Sequence, residues 1–347
     1  MTAVQATAVV LWLGVTLYAV FGGADFGAGI WDLLAGRSAR GARPRALIAD
    51  TIAPVWEANH TWLIFDLVIL WTAFPLAFAS IMSTLFVPLT LAGLGIVLRG
   101  SAFAFRPVAP DLASRRLAGG IFALGSVLTP FFLGAAGGAI ASGRVPVGNA
   151  SGDPLSSWIN PTSLLVGCLA IAACAYLAAV FLVVDARRRE DRELERYFLR
   201  RATAAAIVAG AISLAGIAIL RADAPALADG LVQVGWPLIV ASGGFGILAL
   251  AGLHHGAPRG TRVTATGAVV AVVWGWGAAQ YPDILPGALS LADAAAPEGA
   301  IEALLVVFVV AALVIGPSLG ILYVLAQRSR LQGHGLSGGR DDPGRAG

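Results

Sequence analysis

The sequence predicts an all-α integral membrane protein of nine transmembrane helices, with its N-terminus outside and its C-terminus in the cytoplasm. Three observations predict this. Hydrophobic residues make up 58% of the 347 and charged residues 12%, against about a quarter charged in a soluble domain; the mean hydropathy is +0.81. The apolar residues fall into runs near the ~20 residues that a span needs. All 23 basic residues are arginines, and they gather in alternate loops.

The spans are expected near 6–30, 49–73, 76–104, 117–141, 161–184, 202–220, 231–253, 262–281 and 299–326. Arg37, Arg40, Arg43 and Arg45 follow the first. The turn at Phe74-Pro75 after the second has no charge. Arg106, Arg115 and Arg116 follow the third, and Arg144 and Asp153 the fourth. Seven arginines from Arg187 to Arg201 follow the fifth, read as a solvated face that continues helix five or opens helix six. Arg221 follows the sixth, and Arg259 and Arg262 the seventh. Only acids, Asp283, Asp293 and Glu298, follow the eighth; Arg328, Arg330, Arg340 and Arg345 follow the ninth. Arginine-rich loops stay on the cytoplasmic side, and an even number of spans would break the alternation. Residues 1–330 read as one polytopic domain, and 331–347, rich in glycine and charge, as a disordered cytoplasmic tail. The first apolar run lacks a basic start and runs too long for a cleavable signal.

Charge inside the spans is the strongest functional signal, because an intramembrane carboxylate is costly and marks a route for ions, protons or substrate. The second span carries Asp50, Glu57, Asn59, His60, Thr61 and Asp66. Read as one continuous helix entering from the cytoplasm, it sets Glu57 roughly 12–15 Å deep. Asp50 and Thr61 then share its face and His60 flanks it, a polar stripe suited to proton transfer. Asn59, Trp62 and Asp66 point to the other side. Asp25 near the inner end of the first span and Arg99 near the inner end of the third lie at one depth and are the natural partners for each other. Gly22, Gly23, Gly27 and Gly29 would let a neighbouring helix come close.

Trp12, Trp31 and Trp158 lie near span ends and suit an interfacial belt. Cys168 and Cys174 are six residues apart on one helix, so neither a disulfide nor a metal clip is indicated. His60 is the one intramembrane histidine, where a bis-histidine haem needs two. No Walker, Rossmann or zinc motif is present. The basic residues report topology, not nucleic-acid binding.

These residues resemble subunit II of cytochrome bd-type quinol oxidases. Gly23-Ala24-Asp25-Phe26-Gly27-Ala28-Gly29 is similar to that family's Gly-Phe-Asp-Leu-Gly-x-Gly. The run from Ile52 through Trp56-Glu57-Ala58-Asn59 to Leu63 resembles its Ala-Pro-x-Trp-Asp-Gly-Asn-x-x-Trp-Leu. Leu98-Arg99-Gly100, Phe105-Arg106, Asn160-Pro161, Trp276-Gly277 and Gln280-Tyr281-Pro282 add to the likeness. The resemblance implies two four-helix bundles plus one peripheral helix in the bacterial cytoplasmic membrane. It implies a haem-bearing subunit I as partner, holding haems b and d, with quinol and O2 handled through the complex and lipid around it. This chain would bind no haem and no metal and hold no catalytic residue; a structural quinone is the one cofactor left open. Its role would be assembly, proton delivery along Asp50, Glu57, His60 and Thr61, and an oxygen path or subunit interface at Trp62 and Asp66, with Asp25 and Arg99 as a structural ion pair. The sequence departs from the family at Glu57-Ala58, where Asp-Gly is commoner, and at Gly22 and Ala118, where further acids are frequent. The alternative readings are a secondary transporter with an intramembrane carboxylate site at Glu57, against which nine spans do not divide into two inverted halves, and a self-sufficient membrane cytochrome, against which stands the histidine count.

Overall fold

The computed structural model describes residues 1–36, 41–52, 56–106, 108–256 and 258–333. Its helices are α1 Ala3–Leu34, α2 Ala42–Ile52, α3 Trp56–Ala73, α4 Pro75–Thr84, α5 Phe86–Phe105, α6 Leu112–Ala141, α7 Pro161–Arg188, α8 Arg192–Asp223, α9 Pro225–His255, α10 Pro258–Gln280, α11 Leu291–Ala294 and α12 Glu298–Gly333. A small antiparallel hairpin, β1 Asp283–Leu285 with β2 Leu289–Ser290, follows α10. Among the described residues eight helices are long and apolar enough to cross a membrane. The chain is therefore a multi-pass, all-helical membrane protein. The remaining expected span is α3, whose 18 residues include Asn59, His60 and Asp66 as well as Glu57, and so are less apolar than the rest.

Helix ends follow local chemistry. Asp111 accepts from the Ser114 amide to start α6, and Asn160 accepts from the Ser163 amide to start α7, with Pro161 in the first turn, where no amide donor is needed. Asp191 accepts from the amides of Glu193 and Leu194 to start α8. That start lies ten residues before the expected one: the arginines from Arg192 to Arg201 open helix six rather than continuing helix five.

One expected helix is interrupted within the described residues. The span foreseen at 76–104 divides at Leu85 into α4 and α5. Pro88 has no amide hydrogen for the Thr84 carbonyl, and its ring crowds that oxygen, so the regular ladder stops one turn earlier. The span foreseen at 49–73 is described in two stretches, α2 up to Ile52 and α3 from Trp56, and residues 53–55 between them lie outside the described residues. The expected common face of Asp50 and Glu57 runs through residues 53–55 and so lies outside the described residues.

The core has two main parts. In one, Leu177, Val180, Leu182 and Val183 of α7 pack against Leu47 and Ile48 of α2, Phe198 of α8 and Leu253 of α9. In the other, Ile69 of α3, Phe74, Leu85 and Ala135 surround Leu285 of β1 and Ile301 of α12. Helix α12 contributes little else to the interior, and Val306, Val307, Val310, Leu313 and Val314 are exposed. Gly27 explains how α1 and α7 come so close: a methyl group there would overlap the Cys174 carbonyl. Gly29 likewise faces Ser126 of α6.

The three tryptophans do not form the expected belt. Trp31 and Trp158 are buried, and Trp31 Nε1 donates to the Ala175 carbonyl (2.8 Å) and Trp158 Nε1 to that of Pro154 (3.0 Å). Trp12 donates to the Val273 carbonyl (3.1 Å) and meets Trp276 edge-on. Each indole N–H found a backbone acceptor inside the protein, so its ring packs inward. Helix α12 runs to Gly333, and the rest of the expected tail lies outside the described residues.

Candidate functional site

Charge enters the interior where α1, α5 and α6 meet. Arg99 and Asp25 are both 2% exposed at the side chain. Arg99 Nη1 donates to Asp25 Oδ2 at 2.7 Å and Nη2 to Oδ1 at 2.9 Å, a two-pronged pairing that matches the planar guanidinium to the carboxylate. Nη2 also donates to the Asp25 carbonyl (3.0 Å) and Nε to Ser126 Oγ (2.9 Å). The Phe122 and Phe26 rings face the cation at 4.6 and 5.1 Å. This arrangement fixes three helices with a charge that is neutralised locally.

Sequence reading missed a second pair on the same helices. Arg106 Nη1 donates to Asp32 Oδ2 at 3.1 Å. Asp32 follows Asp25 by seven residues and Arg106 follows Arg99 by seven, so the equal spacing was a usable signal. Further pairs tie the inter-helix ends: Arg262 to Asp185 (2.6 Å), Arg187 to Glu195 (2.7 Å), and Arg43 to Asp191 (2.6 Å). At the opposite set of loops Arg144 meets Asp223 at 2.7 Å, and Asp223 also accepts from the Thr162 hydroxyl.

The other expected residues lie on α2 and α3. Asp50 on α2 is exposed and pairs with Arg189 at 3.0 Å. The Glu57 side chain lies outside the described residues. His60 is half-buried, its ring 6.1 Å from that of Tyr18 and 5.8 Å from that of Phe26. Thr61 is exposed. Trp62 is half-buried against Phe65. The Asp66 carboxyl rests on Gly14 of α1, where a methyl group would collide with it. Cys168 is exposed and Cys174 buried, both free. Among the described residues no three His, Cys, Asp or Glu side chains gather as a metal site. His254 lies beside Thr203 at the end of α9, on a different element from His60.

These features make the chain a multi-pass helical membrane protein with a neutralised charge pair in its core. Over residues 4–326 it matches the family model for cytochrome bd terminal oxidase subunit II, and the chain belongs to that family. It is 31% identical over 112 residues to cytochrome bd ubiquinol oxidase subunit 2 of Bacillus subtilis (strain 168), covering 32% of each chain. It is 28% identical over 186 residues to cytochrome bd-I ubiquinol oxidase subunit 2 of Escherichia coli (strain K12), covering 50% of this chain and 46% of that one. The matched stretches thus span less than half the length of these curated relatives. A solved structure of bd oxidase from Geobacillus thermodenitrificans is similar at a TM-score of 0.71 and 26% identity, covering 94% of this chain and 98% of that one.

Proposed function

We propose that this chain is the haem-free subunit II of a cytochrome bd-type quinol:O2 oxidoreductase in a bacterial cytoplasmic membrane, beside a subunit I that holds haems b and d. The family match across residues 4–326 carries this reading, and the likeness in fold to the Geobacillus thermodenitrificans oxidase supports it. The haems of the partner supply the redox chemistry; this chain supplies helices, buried charge and a route for protons.

In that reading α3 is the ninth span. Its 18 residues reach about 27 Å at ~1.5 Å each, close to the ~30 Å hydrocarbon core. Helices α1, α3, α4 with α5, and α6 form one four-helix bundle, α7 to α10 form the second, and the exposed α12 is peripheral. The N-terminus is outside, supported by the grouping of Arg43, Arg106, Arg187, Arg189 and Arg262 with acids at one end of the bundle. Asp25 and Arg99 hold the fold. Asp50 marks the cytoplasmic mouth of a proton route that continues through Glu57 and His60, with Thr61 beside it, while Trp62 borders the oxygen path or the partner. Purifying the chain from its native membrane tests the assignment. Copurification of a larger subunit with a reduced-minus-oxidised haem d band is expected; recovery of the chain without any haem protein would overturn it.

A further inference from the structure

Three buried polar atoms on the seam between α1 and α3 have no hydrogen-bond partner among the described residues: Tyr18 Oη, His60 Nδ1 and Asp66 Oδ1. They belong to neighbouring side chains. The Tyr18 and His60 rings are 6.1 Å apart, and Asp66 rests on Gly14, one helical turn from Tyr18 on the same side of α1. The backbone itself changes here, since Tyr18–Gly22 winds as a π-helix inside α1, a local widening that recurs at functional sites. Gly22 makes room for the tyrosine ring, as a methyl group there would lie 3.0 Å from Tyr18 Cε2.

The adjacent ion pair cannot satisfy these atoms. Arg99 directs four of its five N–H donors to Asp25 and Ser126, and the Phe26 ring contacts both the guanidinium and the His60 ring. The groups that act electrostatically on Tyr18 are Cys174, Asp25, Arg99 and Asp66, and those on His60 are Asp25 and Arg99. Buried polar atoms left without protein partners are ordinarily bound to internal water.

We propose that Tyr18, His60 and Asp66 hold a short file of water that relays protons along the α1 and α3 seam, from the Glu57 end of α3 to the level of Asp66. This rests on the reading that the chain delivers protons to the oxidase, and it adds two groups that reading does not contain: Tyr18 as a relay and Asp66 as its terminus. A proton leaving His60 passes through water to Tyr18 Oη, which accepts it and releases its own hydroxyl proton towards Asp66. The Asp66 carboxylate takes that proton, becomes a neutral carboxyl and releases it to water beyond the seam. No electron moves, Tyr18 keeps its hydrogen count because it releases one proton for each it accepts, and its hydroxyl then reorients for the next transfer.

The test uses the assembled complex, with Tyr18→Phe, Asp66→Asn and Glu57→Gln prepared in parallel. Tyr18→Phe keeps the ring against Phe26 and Gly22 and removes only the hydroxyl, so it decides the matter even if Asp66→Asn fails to assemble. At unchanged haem content, Tyr18→Phe and Asp66→Asn are each expected to slow oxygen consumption about tenfold or more. A raised solvent deuterium isotope effect and an altered pH profile should accompany the loss, which a purely structural role would not produce. Wild-type turnover, pH profile and isotope effect in Tyr18→Phe would overturn the relay. If Glu57→Gln slows turnover while the other two variants do not, the relay alone falls; if all three behave as wild type, proton delivery by this chain falls with it.

Discussion

Removing one member of the Asp25 and Arg99 pair should harm the protein more than removing both. Asp25→Asn leaves a guanidinium that is 2% exposed facing a neutral amide, and weakens the two charge-assisted bonds at 2.7 and 2.9 Å. Breaking one partner of a buried pair costs about 3–5 kcal/mol, because the remaining charge is stranded in a low-dielectric site. Arg99→Met strands the Asp25 carboxylate and also removes the contacts to Ser126, Phe26 and Phe122, so it belongs at the upper end of that range. The double variant Asp25→Leu with Arg99→Met buries no charge, and a well-packed apolar replacement is often neutral or better. At about 1.4 kcal/mol per tenfold, the single variants should lose roughly 100-fold or more of the properly assembled fraction relative to the double. Thermal unfolding of the detergent-solubilised complex, with haem per complex as the measure of assembly, provides the assay. A double variant less stable than either single would refute the argument that stranded charge is the dominant cost.

Gly27→Ala should prevent close packing of α1 on α7, since the new methyl meets backbone rather than a side chain that can swing away; a loss of about 3 kcal/mol in unfolding stability is expected. Asp191 gives a pH signature: the Leu194 amide, with the Arg43 guanidinium and the Glu193 amide, holds its carboxyl below the ordinary 3.8. A depressed carboxyl contributes stability that is fully present above 3.8 and lost as pH falls through the lower folded value, so the stability gap between wild type and Asp191→Ala should close only under acid conditions below that point. Glu57→Gln should slow quinol oxidation with haem content intact, and Glu57→Asp should be tolerated, both read by oxygen-electrode assays. His60→Ala should leave the haem spectrum of the complex unchanged; loss of a haem band would contradict the assignment of haem to the partner alone.

Much of the architecture was legible because membrane spans are written in long apolar runs and arginine-bearing loops. The meeting of Asp25 with Arg99 could be foreseen because the expected spans set both residues at one depth on helices that run the same way. The division at Leu85 was less visible, because hydropathy averages over a proline and Pro88 acts only through the hydrogen bond that it cannot donate to the Thr84 carbonyl. Trp31 and Trp158 misled because an indole near a span end has two homes, the lipid interface and a buried carbonyl, and only tertiary packing selects between them. Tyr18 drew no notice because nothing in its neighbourhood of sequence is charged; its significance comes from His60 and Asp66, more than forty positions away.

The two ion pairs between α1 and α5 work together as a gauge of alignment. Asp25 with Arg99 alone would pin one point and leave the helices free to swivel about it. Asp32 with Arg106 adds a second point seven residues, or about 10 Å, further along both rods. Two points fix axial slip and rotation at once. One residue inserted between Arg99 and Arg106 would shift the lower contact by about 1.5 Å and turn it by about 100°, so the length of this stretch of α5 is constrained as tightly as the identity of its arginines.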